Sequence, residues 1–297
     1  MQDLTPRRTP RAPARIYMHM NAPGSGLPHR SVYRHALPTR LGHWLSALCL
    51  AVLIMSGLQI FNAHPKLYWG DRSDPDHVLF GLKAVEAPDG ATRGITEILG
   101  HQIPTTGVLG ASGSDLEARG FPSWATLPGE RWLAMGRRWH FFFAWIFVLN
   151  GLGFGLWSLL RGHAARDLWP TADDVRSFRR TVLDHLRFRH PTGEAARHYN
   201  VLQKTAYVGV IFGLAPLIIA TGLAMSPTMD AVLPWLPGVF GGRQSARTVH
   251  FIACFAFVGF VLGHLFMVAV TGLVNNVRSM LTGWYRIEAQ GGHDDTH

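Results

Sequence analysis

The chain has 297 residues, of which 47% are apolar and only 16% charged, against roughly 25% charged in an ordinary soluble domain. That excludes a disordered or fully solvated chain, while a mean hydropathy of +0.10 means that any apolar spans are diluted by long polar loops. A formal charge of +9, from 28 Lys and Arg against 19 Asp and Glu, admits either a nucleic-acid partner or a membrane protein with basic loops. The position of the basic residues decides between them.

The first 38 residues form a polar tail rich in Pro and Arg with no apolar h-region, so no cleaved signal peptide is expected. Four stretches then carry no Lys, Arg, Asp or Glu: 41–61, 139–160, 206–225 and 248–272. Each has at least 20 residues, enough to cross a hydrocarbon core of about 30 Å as a helix. The expected fold is therefore an all-α integral membrane four-helix bundle occupying residues 39–276. All 28 basic residues fall outside the spans: 7 before the first, 8 and 9 in the next two loops, 2 between the third and fourth spans, and 2 after the fourth. Seven basic residues precede the first span against Asp3 alone, and loop 161–205 has nine against five acidic. The positive-inside rule places both termini and that loop in the cytoplasm. Basic clustering that follows membrane sidedness leaves no nucleic-acid partner.

Loop 62–138 lies on the opposite, outer face. Its Asp74-Pro75-Asp76, Pro88-Asp89-Gly90 and Ala111-Ser112-Gly113-Ser114 segments read as turns and short irregular structure. Trp124, Trp132 and Trp139 alternate there with Arg131, Arg137 and Arg138, which suits a segment along the headgroups. Residues 277–297 form a cytoplasmic tail. Gly209-x-x-x-Gly213 and Gly259-x-x-x-Gly263 permit close helix approach. Cys49 and Cys254 both fall inside apolar runs, so no disulfide framework is encoded.

Four of the 16 histidines lie in the spans: His43, His140, His250 and His264. An ionisable side chain there marks a functional site. His250 and His264 are 14 residues apart, about 40° short of four full turns with a rise of about 21 Å, so they share one face near opposite membrane surfaces. Following the chain direction, His43 enters at the level of His264 and His140 at the level of His250. The four resolve into two cross-helix pairs, and opposing imidazoles between helices make an axial bis-His haem site. Such an iron has no open position and favours one-electron transfer; two of them make a wire across the membrane. A zinc or copper transporter would gather acidic residues or several thiols in the bundle, whereas the spans hold no Asp or Glu and only the separate Cys49 and Cys254. Arg40, Arg137 and Arg247 each precede a histidine by three residues, one turn nearer the surface on the same side, where haem propionates would emerge.

Arg40-x-x-His43-Trp44, His140 opening the second span, the 14-residue His250/His264 spacing and Tyr199-Asn200-x-x-Gln203-Lys204 together resemble the bacterial di-haem cytochrome b family. This is the cytochrome b561 type that includes the cytochrome b subunits of nickel-iron hydrogenase, formate dehydrogenase and thiosulfate reductase. The resemblance covers the four spans and loop 161–205. It implies a subunit of the bacterial inner membrane passing electrons between an outer, periplasmic partner and the quinone pool. His140 and His250 would hold the outer b-type haem, His43 and His264 the inner one, and Asn200 and Gln203 would stand near quinone. The partner would be a molybdenum or hydrogenase-like enzyme, or a cytochrome c. The rival expectations are a stand-alone quinol or superoxide oxidoreductase of the same fold and a haem-free transporter or membrane anchor.

Overall fold

The computed structural model describes residues 30–160, 205–206 and 208–287. Among the described residues, three helices are long and apolar enough to cross a membrane: α1 (Leu37–Phe61), α2 (Leu133–Leu160) and the helix Arg243–Val270. A shorter apolar helix runs over Gly209–Ala224, as a π-helical turn (Gly209–Leu214) leading into α3 (Ala215–Ala224). Two short helices, α4 (Pro227–Val232) and α5 (Leu236–Val239), connect it to α6 (Arg243–Val270), and α7 (Leu273–Thr282) follows.

α1 packs on α2, and α3 on α6. Away from these contacts the helices bury little. Phe142, Trp145, Leu149, Leu152 and Leu156 of α2 stand 60–65% exposed at three- and four-residue spacing, which forms one apolar stripe. An unburied stripe of this size is stable only against lipid or another apolar surface. Gly209, Gly213, Gly259 and Gly263 mediate no close helix packing among the described residues: a Cβ on any of them would meet none of these within 4 Å.

The segment between α1 and α2 corrects the all-α expectation and its description as irregular loop. Strands β2 (Lys66–Leu67), β3 (Phe80–Glu86), β4 (Thr92–Ile98) and β5 (His101–Pro104) form an antiparallel sheet in that order. A small hairpin of β6 (Ala111–Ser112) and β7 (Glu117–Ala118) follows. The Pro88-Asp89-Gly90 turn signal joins β3 to β4, with Asp89 accepting from the Ala91 N–H and pairing with Arg93. Leu99 and Gly100, at φ of 50° and 82°, make the two-residue link from β4 to β5 that a twisted hairpin requires. A leucine there is an unusual choice, which hides the hairpin from a reading based on Asn-Gly signals.

This sheet is bolted to the bundle. Phe61, Leu67, Leu82 and Phe121 form a buried cluster, extended by Phe80 and by Phe251 of α6. Buried Arg119 donates to the Gly129 carbonyl, Thr126 Oγ1 and Gln59 Oε1, each at 2.6 Å, while Gln59 Nε2 donates to the Glu130 carbonyl. Gln59 lies in the last turns of α1, so the network ties the helix end to the chain entering α2. The Gly70 carbonyl accepts from the N–H groups of Gln244 and Ser245, satisfying donors that the first turn of α6 leaves open.

At the other end of the bundle, β1 (Arg30–Tyr33) pairs antiparallel with β8 (Trp284–Ile287). Arg40 donates to the Leu281 carbonyl at 2.6 Å and Trp44 Nε1 to that of Met280 at 3.2 Å. The bundle thus has a sheet end and a ribbon end, and both ends of the described chain meet at the ribbon. Replacing Arg119 by Met leaves Gln59 and Thr126 buried without their donor. We expect a loss of about 2–4 kcal/mol, measured as a lower melting temperature and faster protease nicking within residues 62–132.

Candidate functional site

The helix pairs α1/α2 and α3/α6 face each other, and the four span histidines stand on the seam between them. His140 of α2 faces His250 of α6 with ring centroids 6.3 Å apart, toward the sheet end. His43 of α1 faces His264 of α6 at 6.1 Å, toward the ribbon end. These are the two combinations expected from depth and helical phase.

The gap has chemical meaning. Ring nitrogens lying on the line between the centroids would be about 4 Å apart, beyond hydrogen-bond range. Two metal–imidazole bonds of about 2 Å each fill that distance. The residues present therefore fit an axially ligated iron.

At the sheet-end pair, the side chains around the rings fix which nitrogen faces the gap. Ser56 Oγ, fully buried in α1, lies 3.1 Å from His140 Nδ1 and 2.6 Å from the Val52 carbonyl. Thr221 Oγ1, fully buried in α3, lies 3.0 Å from His250 Nδ1 and 2.8 Å from the Leu217 carbonyl. A hydroxyl has one proton, and the carbonyl takes it, so each hydroxyl accepts from the Nδ1–H of its imidazole. Nε2 is left with its lone pair, the form a metal requires. The next residue is glycine in both cases: a Cβ on Gly57 would sit 3.4 Å from His140 Cε1, and one on Gly222 3.4 Å from His250 Cε1. The ring therefore lies close against the neighbouring backbone. The ribbon-end pair is built differently. His43 Nδ1 is buried with no hydrogen-bond partner among the described residues, Trp44 meets the His43 ring edge-on, and Phe260 stacks on His264.

The three arginines are all engaged by protein groups. Arg40 holds the Leu281 carbonyl, with its buried Nε unpartnered. Arg137 lies over the Phe141 ring at 5.8 Å. Arg247 donates to the His64 carbonyl and covers the Phe61 ring. Asn200 and Gln203 lie outside the described residues. Outside the spanning helices, burial beside Arg34, with further repulsion from His43 and Arg40, pushes His35 down to about 4, so this imidazole is neutral at pH 7.

Sequence reasoning missed Ser56 and Thr221, whose signal is a Ser/Thr-Gly step in two helices. It also missed Asn150 of α2, which donates to the Gly42 carbonyl and Ser46 Oγ at 2.9 Å each and locks α2 onto α1.

Apolar helices around facing imidazoles define a class, the helical membrane cytochromes. The comparisons agree: residues 34–283 match the family model of prokaryotic cytochrome b561, and the chain belongs to that family. Its members are b-type cytochromes that serve electron transport, so the haem fit found here is the family's chemistry. An Azospira oryzae protein named "Putative protein-methionine-sulfoxide reductase subunit YedZ1" is 26% identical over 231 residues, 78% of this chain and 87% of its own. A Cupriavidus necator protein named "Probable Ni/Fe-hydrogenase B-type cytochrome subunit" is 26% identical over 177 residues, 54% of this chain and 72% of its own. No solved structure matches.

If each pair holds a haem of its own, His264→Ala removes the ribbon-end one and leaves the other. Pigment per polypeptide should fall by half; loss of all pigment from a folded protein contradicts two independent pairs.

Proposed function

We propose that the chain is a four-span, di-haem subunit of the bacterial inner membrane that carries electrons between a periplasmic oxidoreductase and the quinone pool. The observation that carries this reading is the presence of two facing imidazole pairs near 6 Å, at opposite ends of α6. When bound between these imidazoles, haem iron would supply one-electron carriage.

The protein's own residues do the rest. His140 and His250 hold one site and His43 and His264 the other, while the apolar helices keep water from both. The arginines at 40, 137 and 247 stand one turn beyond three of these histidines, and their remaining N–H groups are suited to propionate carboxylates. The Arg40 Nε, buried and unpartnered, is the clearest of these. Asn200 and Gln203 are the proposed quinone contacts on the cytoplasmic side, where protons exchange.

The ribbon supports an even number of crossings, since β1 and β8 can pair only on one side of a membrane. The basic tail and loop 161–205 make that side the cytoplasm, so the sheet end is periplasmic. The docked sheet offers a rigid periplasmic platform. By the names of its relatives, a methionine-sulfoxide-reductase-like or hydrogenase-like enzyme fits as the partner, with a cytochrome c as the other class.

Asn200→Ala should slow oxidation of a soluble quinol analogue about tenfold, the value of one hydrogen bond of about 1.4 kcal/mol to the substrate. The reduced-minus-oxidised haem spectrum should not change. Unaltered quinol kinetics removes Asn200 from the site.

A further inference from the structure

The two imidazole pairs differ in what lies behind them, and that difference has a redox consequence. We infer that Ser56 and Thr221 are positioning residues that lower the reduction potential of the sheet-end haem relative to the same site without them. This inference rests on the two-haem reading above.

Each sheet-end imidazole offers its Nδ1–H to a buried hydroxyl, with a backbone carbonyl beside it (Leu53 for His140, Ile218 for His250), and the hydroxyl's own proton is held by the helix carbonyl one turn back: Val52 for Ser56, Leu217 for Thr221. The hydroxyl cannot turn around and donate to the ring without giving up that bond. Both hydroxyls are fully buried, so no water competes for Nδ1. A hydrogen bond accepted from the far nitrogen draws its proton outward, gives the ring imidazolate character and raises its basicity toward a metal. A more basic axial pair stabilises the higher charge of ferric iron, and the potential falls. The arrangement occurs twice, on α1 and on α3, each time with a glycine immediately after the hydroxyl residue, so both axial ligands of one iron are tuned alike.

The ribbon-end site does not share this device: His43 Nδ1 is buried with no partner among the described residues. An unassisted imidazole is a weaker donor and leaves ferrous iron relatively favoured. The two sites are thus tuned unequally by the groups behind their imidazoles.

The test is redox potentiometry of the purified full chain, with low-temperature EPR of the ferric protein. The wild type should show two haems and two transitions, and His140→Ala identifies the sheet-end transition by its loss. Ser56→Ala and Thr221→Val should each move that transition to higher potential and change its low-spin EPR signal, with the ribbon-end transition fixed; the double variant should move it further. Thr221→Ser, which keeps the hydroxyl, should restore the wild-type potential; a shift as large as that of Thr221→Val assigns the effect to packing and overturns the inference. Two transitions that both ignore the substitutions, or that move together, also overturn it. Fewer than two haems in the unsubstituted protein is a different failure, visible before any variant is made, and it removes the two-haem reading along with this one.

Discussion

Everything in this molecule is arranged around a seam that proteins ordinarily avoid: polar rings facing each other inside an apolar bundle, too far apart to bond directly. A ring nitrogen in hydrocarbon without a partner costs several kcal/mol, and helices have no hydrophobic reason to associate within lipid. The helix pairs α1/α2 and α3/α6 need something at the seam to join them, and the spacing of the rings specifies what. On this account the cofactor is the bundle's central bond as well as its electron carrier.

The ends of the bundle hold that seam in register. At the sheet end, the Arg119–Gln59 network and the aromatic cluster around Phe251 fix α1 and α6 to a common platform one residue away from His250. At the ribbon end, Arg40 and Trp44 clip the start of α1, next to His43, to the last turn of α7. In both places the contacts lie within a few residues of a histidine, and Trp44 also meets the His43 ring edge-on, so local order at the bundle ends is transmitted to the ring positions.

Much of this was legible in the sequence because the physics is periodic. Three spanning helices follow from absence of charge, while the stretch 206–225 holds a shorter apolar helix; the pairing of His43 with His264 and of His140 with His250 follows from depth and helical phase alone. The sheet was not legible. Its strands are short, its β4–β5 turn uses Leu99 where Asn or Asp is usual, and its buried positions include Thr96 and Arg119, which read as surface. Ser56 and Thr221 were invisible for another reason: a hydroxyl in an apolar helix usually bonds only its own backbone, and its second role depends on which ring a neighbouring helix brings to it. The small-residue pattern at Gly209, Gly213, Gly259 and Gly263 misled, whereas Gly57 and Gly222, in no such pattern, are the glycines that rings pack against.

The most direct measurement is the haem content of the purified polypeptide: pyridine haemochrome absorbance against protein mass, taken with a dithionite-reduced minus oxidised spectrum. The account predicts two b-type haems per chain, both low-spin and both reducible. A chain that carries one or none when haem is abundant contradicts it.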